Sequence, residues 1–174
     1  TRDPDLLSMT GRLPQGFRPV QGIATMPPAA RLDVPGYVRA SGRAFESLGR
    51  LRHALVAPGD IRITGDAVHI VPAALSAGQL VWCGGARDAT NPWLPENALS
   101  PARGEMIEVA LPGVKTSSVI HRGGRWLRPL VDGRYQFGAT YDHTAPTAQN
   151  TPEARRQLKQ ALTDWLQMPP QVTG

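Results

Sequence analysis

Four short apolar runs between residues 105 and 140 constrain the fold more than any other feature of the chain. The first of them alternates between two faces, which is typical of a strand that buries one face. Short turns separate the runs, and the Asp132-Gly133 pair is a strong hairpin signal. The sequence therefore predicts an antiparallel meander, with Pro129 marking an edge or a bulge in the third run. The runs cover residues 105–111, 116–121, 126–131 and 135–140.

Two other segments have the apolar spacing of amphipathic helices. The first covers residues 37–51, with Asp33 as its cap and Pro35 in the first turn. The second begins after Thr151, with Pro152 at the first helical position, and stops before a pair of prolines. Together with the meander, these helices predict an α+β (mixed α/β) fold, in which an antiparallel sheet of about four to six strands carries helices on one side.

Weaker signals come from the N-terminal half and from the C-terminus. Residues 1–35 are rich in Pro and Gly and are predicted to be irregular, apart from a short strand near residues 20–23. Residues 60–64 and 67–71 alternate on either side of a Gly-Asp turn, which predicts a hairpin. A connector follows at residues 72–78, and residues 172–174 are predicted to begin one more strand.

A continuous apolar run at residues 79–83 ends in the turn Gly84-Gly85-Ala86. Such a run is typical of a strand buried on both faces, as in a parallel sheet, and Cys83 is then an inert core thiol. Glycines after a buried strand can bring backbone amides close to a phosphate or a ribose. They are also common as plain turn residues, so the turn alone does not decide between the two interpretations.

Composition narrows the class of protein. The 174 residues suffice for a domain with a core, and no apolar run approaches the roughly 20 residues of a membrane helix. The net charge of +5 comes from arginines scattered along the chain, with no Lys/Arg block. Isolated arginines suit an anionic small molecule at least as well as nucleic acid. A single cysteine excludes an internal disulfide and is compatible with a cytoplasmic location, which we predict.

Motifs for hydrolytic or metal chemistry are missing from the sequence. The four histidines are far apart and have no partner at ligand spacing, so we predict no metal site. There is no Gly-x-Ser-x-Gly elbow, P-loop or paired cysteine motif. Asp142-His143 could serve in acid–base chemistry but has no third partner. From the residues alone, the chain is a mixed α/β domain with a candidate ligand site.

Several short motifs nevertheless follow one another in a specific order over roughly residues 60–174. They are Val-Trp-Cys-Gly-Gly-Ala at 81–86, Pro-Ala-Arg-Gly-Glu at 101–105, Trp-Leu-Arg-Pro at 126–129, Asp-Gly-Arg at 132–134, Phe-Gly-Ala-Thr at 137–140 and Thr-Pro-Glu at 151–153. This order resembles the middle of the FAD-dependent oxidoreductases of the glycine oxidase and D-amino-acid oxidase type. Members of that family oxidise amines or amino acids by hydride transfer to the flavin.

The resemblance implies a domain organisation. Residues 1–35 would be an irregular segment, and residues 36–99 would contribute a helix, a hairpin and one strand of the FAD-binding domain. Residues 100–174 would form the antiparallel substrate-domain sheet with its helix. The family's Gly-x-Gly-x-x-Gly motif, which holds the FAD pyrophosphate, is absent from the 174 residues. FAD binding would then require segments outside this chain, namely the missing FAD-binding half of the same enzyme, and the isolated chain is expected to be inactive.

The resemblance also implies roles for individual residues. The expected substrate is a small amine or amino acid, whose carboxylate would contact Arg128 or Tyr135. No catalytic residue is indicated. Two other interpretations of the chain are a non-catalytic ligand-binding or interaction module and a basic nucleic-acid binder. The residues expected to contact FAD are Cys83, Gly84, Gly85, Ala86, Arg103, Gly104 and Glu105.

Overall fold

The computed structural model describes residues 11–26, 30–144 and 149–172, without the side chains of 89, 90 and 172. Its contacts divide the chain into two compact units. Residues Ala29–Ser100 form one, which we call the three-stranded unit. Residues Thr1–Pro28 and Pro101–Gly174 form the other, which we call the five-stranded unit. With two helices and two antiparallel sheets, the predicted α+β fold class is confirmed.

The three-stranded unit begins with helix α1, Val34–Ser47. The Asp33 carboxylate caps it by accepting a 3.1 Å hydrogen bond from the backbone N–H of Gly36, and Pro35 lies in the first turn. The predicted helix is therefore confirmed, but it begins three residues earlier than expected and ends four residues earlier. Gly49, with φ +63°, follows its last turn and favours termination there.

A hairpin follows α1, as the sequence predicts. Strands β1 (Ile61–Thr64) and β2 (Ala67–Ile70) pair antiparallel around the Gly65 turn, with Ile61 opposite Ile70. Strand β3 (Leu75–Ala77) pairs with β2. This third strand lies in the stretch interpreted as a connector.

The buried strand predicted at residues 79–83 is wrong. This segment has no regular structure, Val81 is 84% exposed and Cys83 is an exposed free thiol rather than a core residue. No strand within the described residues pairs with this run. A short 3₁₀ helix, Gly85–Thr90, takes the place of the predicted turn into a polar loop.

The three-stranded unit buries none of its described hydrophobic side chains. The large apolar residues of α1 and Leu48, which follows the helix directly, form one stripe at helical spacing, and each of them is at least half exposed. Helix stripes of this kind are normally covered by another element. The stripe, which we call the α1 face, consists of Val34, Tyr37, Val38, Phe45 and Leu48.

The five-stranded unit contains the hydrophobic core. Its antiparallel strands are β4 (Met106–Ala110), β5 (Ile120–Arg122), β6 (Arg125–Pro129), β7 (Tyr135–Gly138) and β8 (Gln171–Val172), in the spatial order β5-β6-β7-β4-β8. The predicted meander holds for β5, β6 and β7. It is wrong for β4, which pairs with β7 and not with β5.

The connection from β4 to β5 leads to the far edge of the sheet. Leu111 and Val114 in this connection bury their side chains in the core. The second predicted strand is also shorter than expected. Thr116 instead forms a local turn in which its side-chain oxygen accepts a 3.0 Å hydrogen bond from the N–H of Ser118.

Helix α2 (Pro152–Thr163) packs against β4 and β7 and covers one face of the sheet. Thr151 caps it as predicted, by accepting a 3.2 Å hydrogen bond from the Ala154 N–H. Leu158 and Leu162 of α2 are fully buried against the sheet. The sheet contributes Ile107, Val109, Leu127, Tyr135 and Phe137 to the same core.

The described part of the N-terminal segment, residues 11–26, is irregular but attached to this core. No strand forms at residues 20–23, where one was predicted. Phe17 forms a β-bridge to Leu166 instead and is 6% exposed. Among the residues that the structure describes, no helix has the length and apolar character needed to cross a bilayer.

Candidate functional site

The face of the sheet that α2 does not cover carries a cluster of long polar and aromatic side chains. Strand alternation puts Leu127 into the core and its neighbours Trp126 and Arg128 on this open face. Gln136 of β7 lies directly opposite Arg128 and therefore on the same face. We call Trp126, Arg128 and Gln136 the open-face cluster.

Two contacts orient the Arg128 guanidinium. Its Nε donates a 2.7 Å hydrogen bond to Gln136 Oε1, and its Cζ lies 5.5 Å from the centre of the Trp126 ring. The second geometry is that of a cation–π contact. The terminal nitrogens of Arg128 make no hydrogen bond within the described residues. An arginine held in this way presents a preoriented fork, which matches the geometry of a carboxylate.

Tyr135, the other predicted substrate contact, lies on the opposite face of the sheet. It is 5% exposed, and its hydroxyl donates a 2.9 Å hydrogen bond to the Val114 carbonyl. The Thr116 N–H in turn donates to this hydroxyl. The structure therefore does not bring Arg128 and Tyr135 to a common surface. The substrate contact of each residue stays a prediction.

Gly138, at the end of β7, leaves room for the Met106 side chain beside the open-face cluster. A Cβ at this position would lie 2.6 Å from Met106 Cγ, because Met106 is its direct partner on β4. Any larger residue would therefore displace Met106. The peptide bond that follows, Gly138–Ala139, is cis.

A buried ionic network lies beyond the end of β7. Arg103 Nη2 is 2.6 Å from Asp142 Oδ2, and its Nε is 3.2 Å from Glu105 Oε1. The side chains of Arg103 and Glu105 are only 13% and 7% exposed. Backbone hydrogen bonds of 2.8 and 2.9 Å between Arg103 and Asp142 fix the two chain segments side by side.

Glu105 connects this network to α2. One carboxylate oxygen accepts a 2.6 Å hydrogen bond from the Thr151 N–H, and the other accepts a 2.8 Å bond from the Thr151 hydroxyl. A carboxylate at a helix N-terminus is also stabilised by the helix dipole. The sequence identified Arg103 and Glu105 only as expected FAD contacts. Thr151 was identified as a cap, but nothing local signalled that it would bind Glu105.

A cleft of about 600 Å³ opens beside the network, within the range of small-molecule sites. It lies between the loop at the tip of the β5–β6 hairpin, the end of β7 and the first turns of α2. It is lined by Arg103, Glu105, Gly123, Gly124, Arg125, Ala139, Thr140, Tyr141, Asp142, Thr151, Glu153, Ala154 and Gln157.

The turn at residues 83–86 lies in the three-stranded unit. A Cβ on Gly84 would lie 2.2 Å from Asp88 Oδ1, so the Asp88 carboxylate fills the space beside the turn. This carboxylate is nearly buried and accepts a 2.7 Å hydrogen bond from Trp82 Nε1. The FAD contact predicted for this turn stays a prediction. Gly85, with φ +62° and open space at its Cβ position, remains accessible to an uncharged group.

An exposed ion pair next to the sheet has a perturbed titration. The side-chain hydrogen bond from Arg134 Nε to Asp132, at 2.7 Å, lowers the pKa of this carboxyl below its ordinary value of 3.8. The backbone N–H of Arg134 donates a further hydrogen bond of 3.1 Å to the same carboxylate. Both groups lie at the turn between β6 and β7 and fix the shape of that turn.

We expect the Asp132→Asn variant to lose a pH-dependent part of its stability. A depressed folded-state pKa means that the carboxylate stabilises the fold above pH 3.8 and that this contribution disappears as the pH falls through the lowered pKa. The difference in unfolding free energy between the parent and the variant should therefore shrink as the pH is lowered past 3.8. Urea unfolding over a pH series measures it, and a difference that grows on acidification would contradict the assignment.

No group of three or more His, Cys, Asp or Glu side chains within residues 11–26, 30–144 and 149–172 is arranged to hold a metal ion. The open-face cluster, the Arg103 network and the cleft all belong to the five-stranded unit.

Comparison with known proteins gives one match. The model of the family described as FAD dependent oxidoreductase (DAO) matches residues 3–173. No curated protein and no solved structure matches the chain significantly. Because the match covers nearly the whole sequence, the chain belongs to the DAO family of FAD-dependent oxidoreductases.

Proposed function

We propose that this chain carries the substrate side of an oxidoreductase that oxidises a small amine or amino acid by hydride transfer to FAD. The observation that supports this most strongly is the Arg128 fork on the open face of the sheet. Gln136 and Trp126 orient it, and its terminal nitrogens remain available to a ligand. A carboxylate bound there would gain two parallel charge-assisted hydrogen bonds.

Within this proposal, the protein positions the substrate and the cofactor supplies the redox chemistry. Bound FAD accepts the hydride, whereas the residues of this chain bind and orient the substrate. Arg128 holds the carboxylate, and the Trp126 ring excludes water from one side of the guanidinium. The Arg103 network keeps the end of β7 in place below this face. Tyr135 supports the sheet from within the core, where its hydroxyl donates to the Val114 carbonyl.

We further propose that residues outside this chain complete the FAD-binding site. Two observations support this. The sequence has no Gly-x-Gly-x-x-Gly motif, and the three-stranded unit leaves its α1 face uncovered. An exposed apolar stripe of this size is typical of an interaction surface. The partner we assign to it is the FAD-binding half of the same enzyme.

The FAD contacts inferred from the family resemblance belong to the same proposal. Gly85 and Ala86 offer backbone that an adenosine or ribose could approach, with Cys83 and Gly84 beside them. Arg103, Gly104 and Glu105 would begin the sheet that covers the flavin. The exposed thiol of Cys83 persists best in a reducing compartment, in agreement with a cytoplasmic enzyme.

Replacement of Arg128 by Ala tests the substrate assignment. Loss of a charge-assisted contact should weaken the binding of a carboxylate substrate by about 10- to 100-fold. The measurement is anaerobic flavin reduction by a panel of amino acids and simple amines, with the FAD-loaded enzyme that includes the adjoining reading frame. Arg128→Lys, which keeps the charge but not the fork, should recover only part of the affinity.

The control is Arg62→Ala, which removes the same charge from an exposed position on β1. Amines without a carboxylate should be oxidised equally by the Arg128 variant and its parent. Unchanged amino-acid binding in Arg128→Ala would remove this residue from the site. An FAD-loaded enzyme that no amine or amino acid reduces would favour a non-catalytic ligand-binding module.

A further inference from the structure

The tip of the β5–β6 hairpin holds an arginine whose hydrogen-bonding capacity is not satisfied. Arg125 is the first residue of β6 and lines the cleft beside α2. Its Nε is buried and has no hydrogen-bond partner, and the side chain makes no ion pair within the described residues. A buried charged donor without an acceptor is costly, and a bound anion removes that cost.

A second arginine faces the first across the hairpin. Arg122 is the direct Cα partner of Arg125. Residues paired in this way place their side chains on the same face, where two like charges repel each other. No carboxylate within the described residues forms an ion pair with Arg122. The pair therefore creates a local positive potential at one end of the cleft, and an anion between the two side chains would relieve it.

The turn that joins these arginines is open to a ligand. Gly123 and Gly124 have φ +57° and +76°, which favours glycine at both positions. No atom lies within 4 Å of the Cβ position of either residue. Both line the cleft, so a ligand can approach the hairpin tip without meeting a side chain.

The carboxylates in the cleft are already engaged by other groups. Glu105 and Asp142 contact Arg103, and Glu153 pairs with Arg156. These three carboxylates share two arginines, Arg103 and Arg156, which leaves one negative charge over. Arg122 and Arg125 form no such ion pair among the described residues, and with them four arginines face three carboxylates at this cleft. An incoming anion would meet the two arginines as the uncompensated charges.

We propose that the Arg125 end of this cleft is a binding site for a small oxyanion, either a carboxylate or a phosphate group, held by Arg125 with support from Arg122. The site is separate from the open-face cluster, because strand alternation places Arg125 with Leu127 on the α2 side and Arg128 on the other side. It is therefore a second ligand site and does not depend on the proposed oxidation of an amine.

Titration of the full 174-residue chain with inorganic phosphate and, separately, with acetate tests the site. Chloride at matched ionic strength serves as the screening control. Calorimetry or chemical-shift changes should show saturable binding of at least one oxyanion, and the stronger of the two identifies the group. Arg125→Gln should weaken this binding at least about tenfold, and Arg122→Gln should weaken it less, because Arg122 is exposed.

Arg62→Gln, which removes one charge from the other unit, should leave the affinity unchanged. Circular dichroism establishes that each variant is folded, and Arg125→Lys retains the charge if Arg125→Gln is unstable. Partial loss of affinity in Arg125→Lys supports the proposal. Either of two results overturns it: no saturable binding of phosphate or acetate beyond that of chloride, or equal affinities in the parent and the Arg125 variants.

Discussion

Replacement of Phe137 by Ala is expected to destabilise the five-stranded unit by about 3–5 kcal/mol. Phe137 is fully buried at the centre of β7, and its ring meets Trp165 edge-on with centroids 5.0 Å apart. Truncation would remove the apolar contact area and leave a cavity between the sheet and α2. The loss of the aromatic pair adds to the cost. Urea unfolding monitored by circular dichroism measures the change.

Phe45→Ala provides a matched control for this experiment. Phe45 is 51% exposed on the α1 face, so the same truncation should change the stability of the 174-residue chain by only about 0.5 kcal/mol. A large effect of Phe45→Ala would show that the α1 face is covered in this chain. A small effect of Phe137→Ala would contradict the assignment of the core to the α2 side of the sheet.

The second large effect is expected for Glu105→Ala, at about 3–5 kcal/mol of lost stability. The substitution removes both acceptors of Thr151 and one of the two carboxylates that contact Arg103. The Arg103 guanidinium would stay nearly buried with Asp142 as its remaining carboxylate partner among these contacts. Because Glu105 joins the sheet to the first turn of α2, the helix should also show increased hydrogen exchange at its N-terminus.

Two further variants separate the parts of this effect. Glu105→Gln keeps an oxygen that can accept a hydrogen bond from Thr151 but removes the charge beside Arg103. It should therefore lower the free energy of unfolding less than Glu105→Ala does. Glu96→Ala, at an exposed loop position, should be nearly neutral. If Glu105→Ala is as mild as Glu96→Ala, the network does not hold α2 on the sheet.

Local signals were sufficient for much of the fold. The caps Asp33 and Thr151 and the Asp132-Gly133 turn each depend on a few neighbouring residues, and all lie where the sequence places them. The prediction of a buried strand at residues 79–83 is wrong, because an apolar stretch is compatible with a buried strand and with an exposed segment alike. Burial is decided by the elements that pack against a segment, and periodicity alone does not identify them.

The position of β4 was also beyond local reasoning. Its alternation correctly predicted a strand, but β4 pairs with β7, which is distant in sequence, and not with β5. Non-local strand pairings of this kind cannot be inferred from turn residues or from the spacing of apolar residues.

The candidate site likewise combines features that follow from local sequence patterns with long-range contacts that do not. Alternation along β6 and β7 separates Arg128 from Tyr135, and this separation follows once the strands are correctly registered. The Arg103 contact to Asp142 spans 39 residues and the Glu105 contact to Thr151 spans 46. Neither could be inferred from the spacing of residues along the chain. The cleft and Arg125 do not follow from the sequence for the same reason, since four separate segments form the walls of the cleft.

We propose that this chain is the substrate side of a flavoenzyme and that residues outside it complete the FAD-binding site. The most direct test is the visible absorbance of oxidised flavin, measured after purification and added FAD on two proteins in parallel. One is the 174-residue chain, and the other includes the adjoining reading frame on both sides. We predict a stoichiometric flavin band on the longer protein and none on the 174-residue chain. A stoichiometric band on the 174-residue chain alone, or no band on the longer protein, would contradict the account.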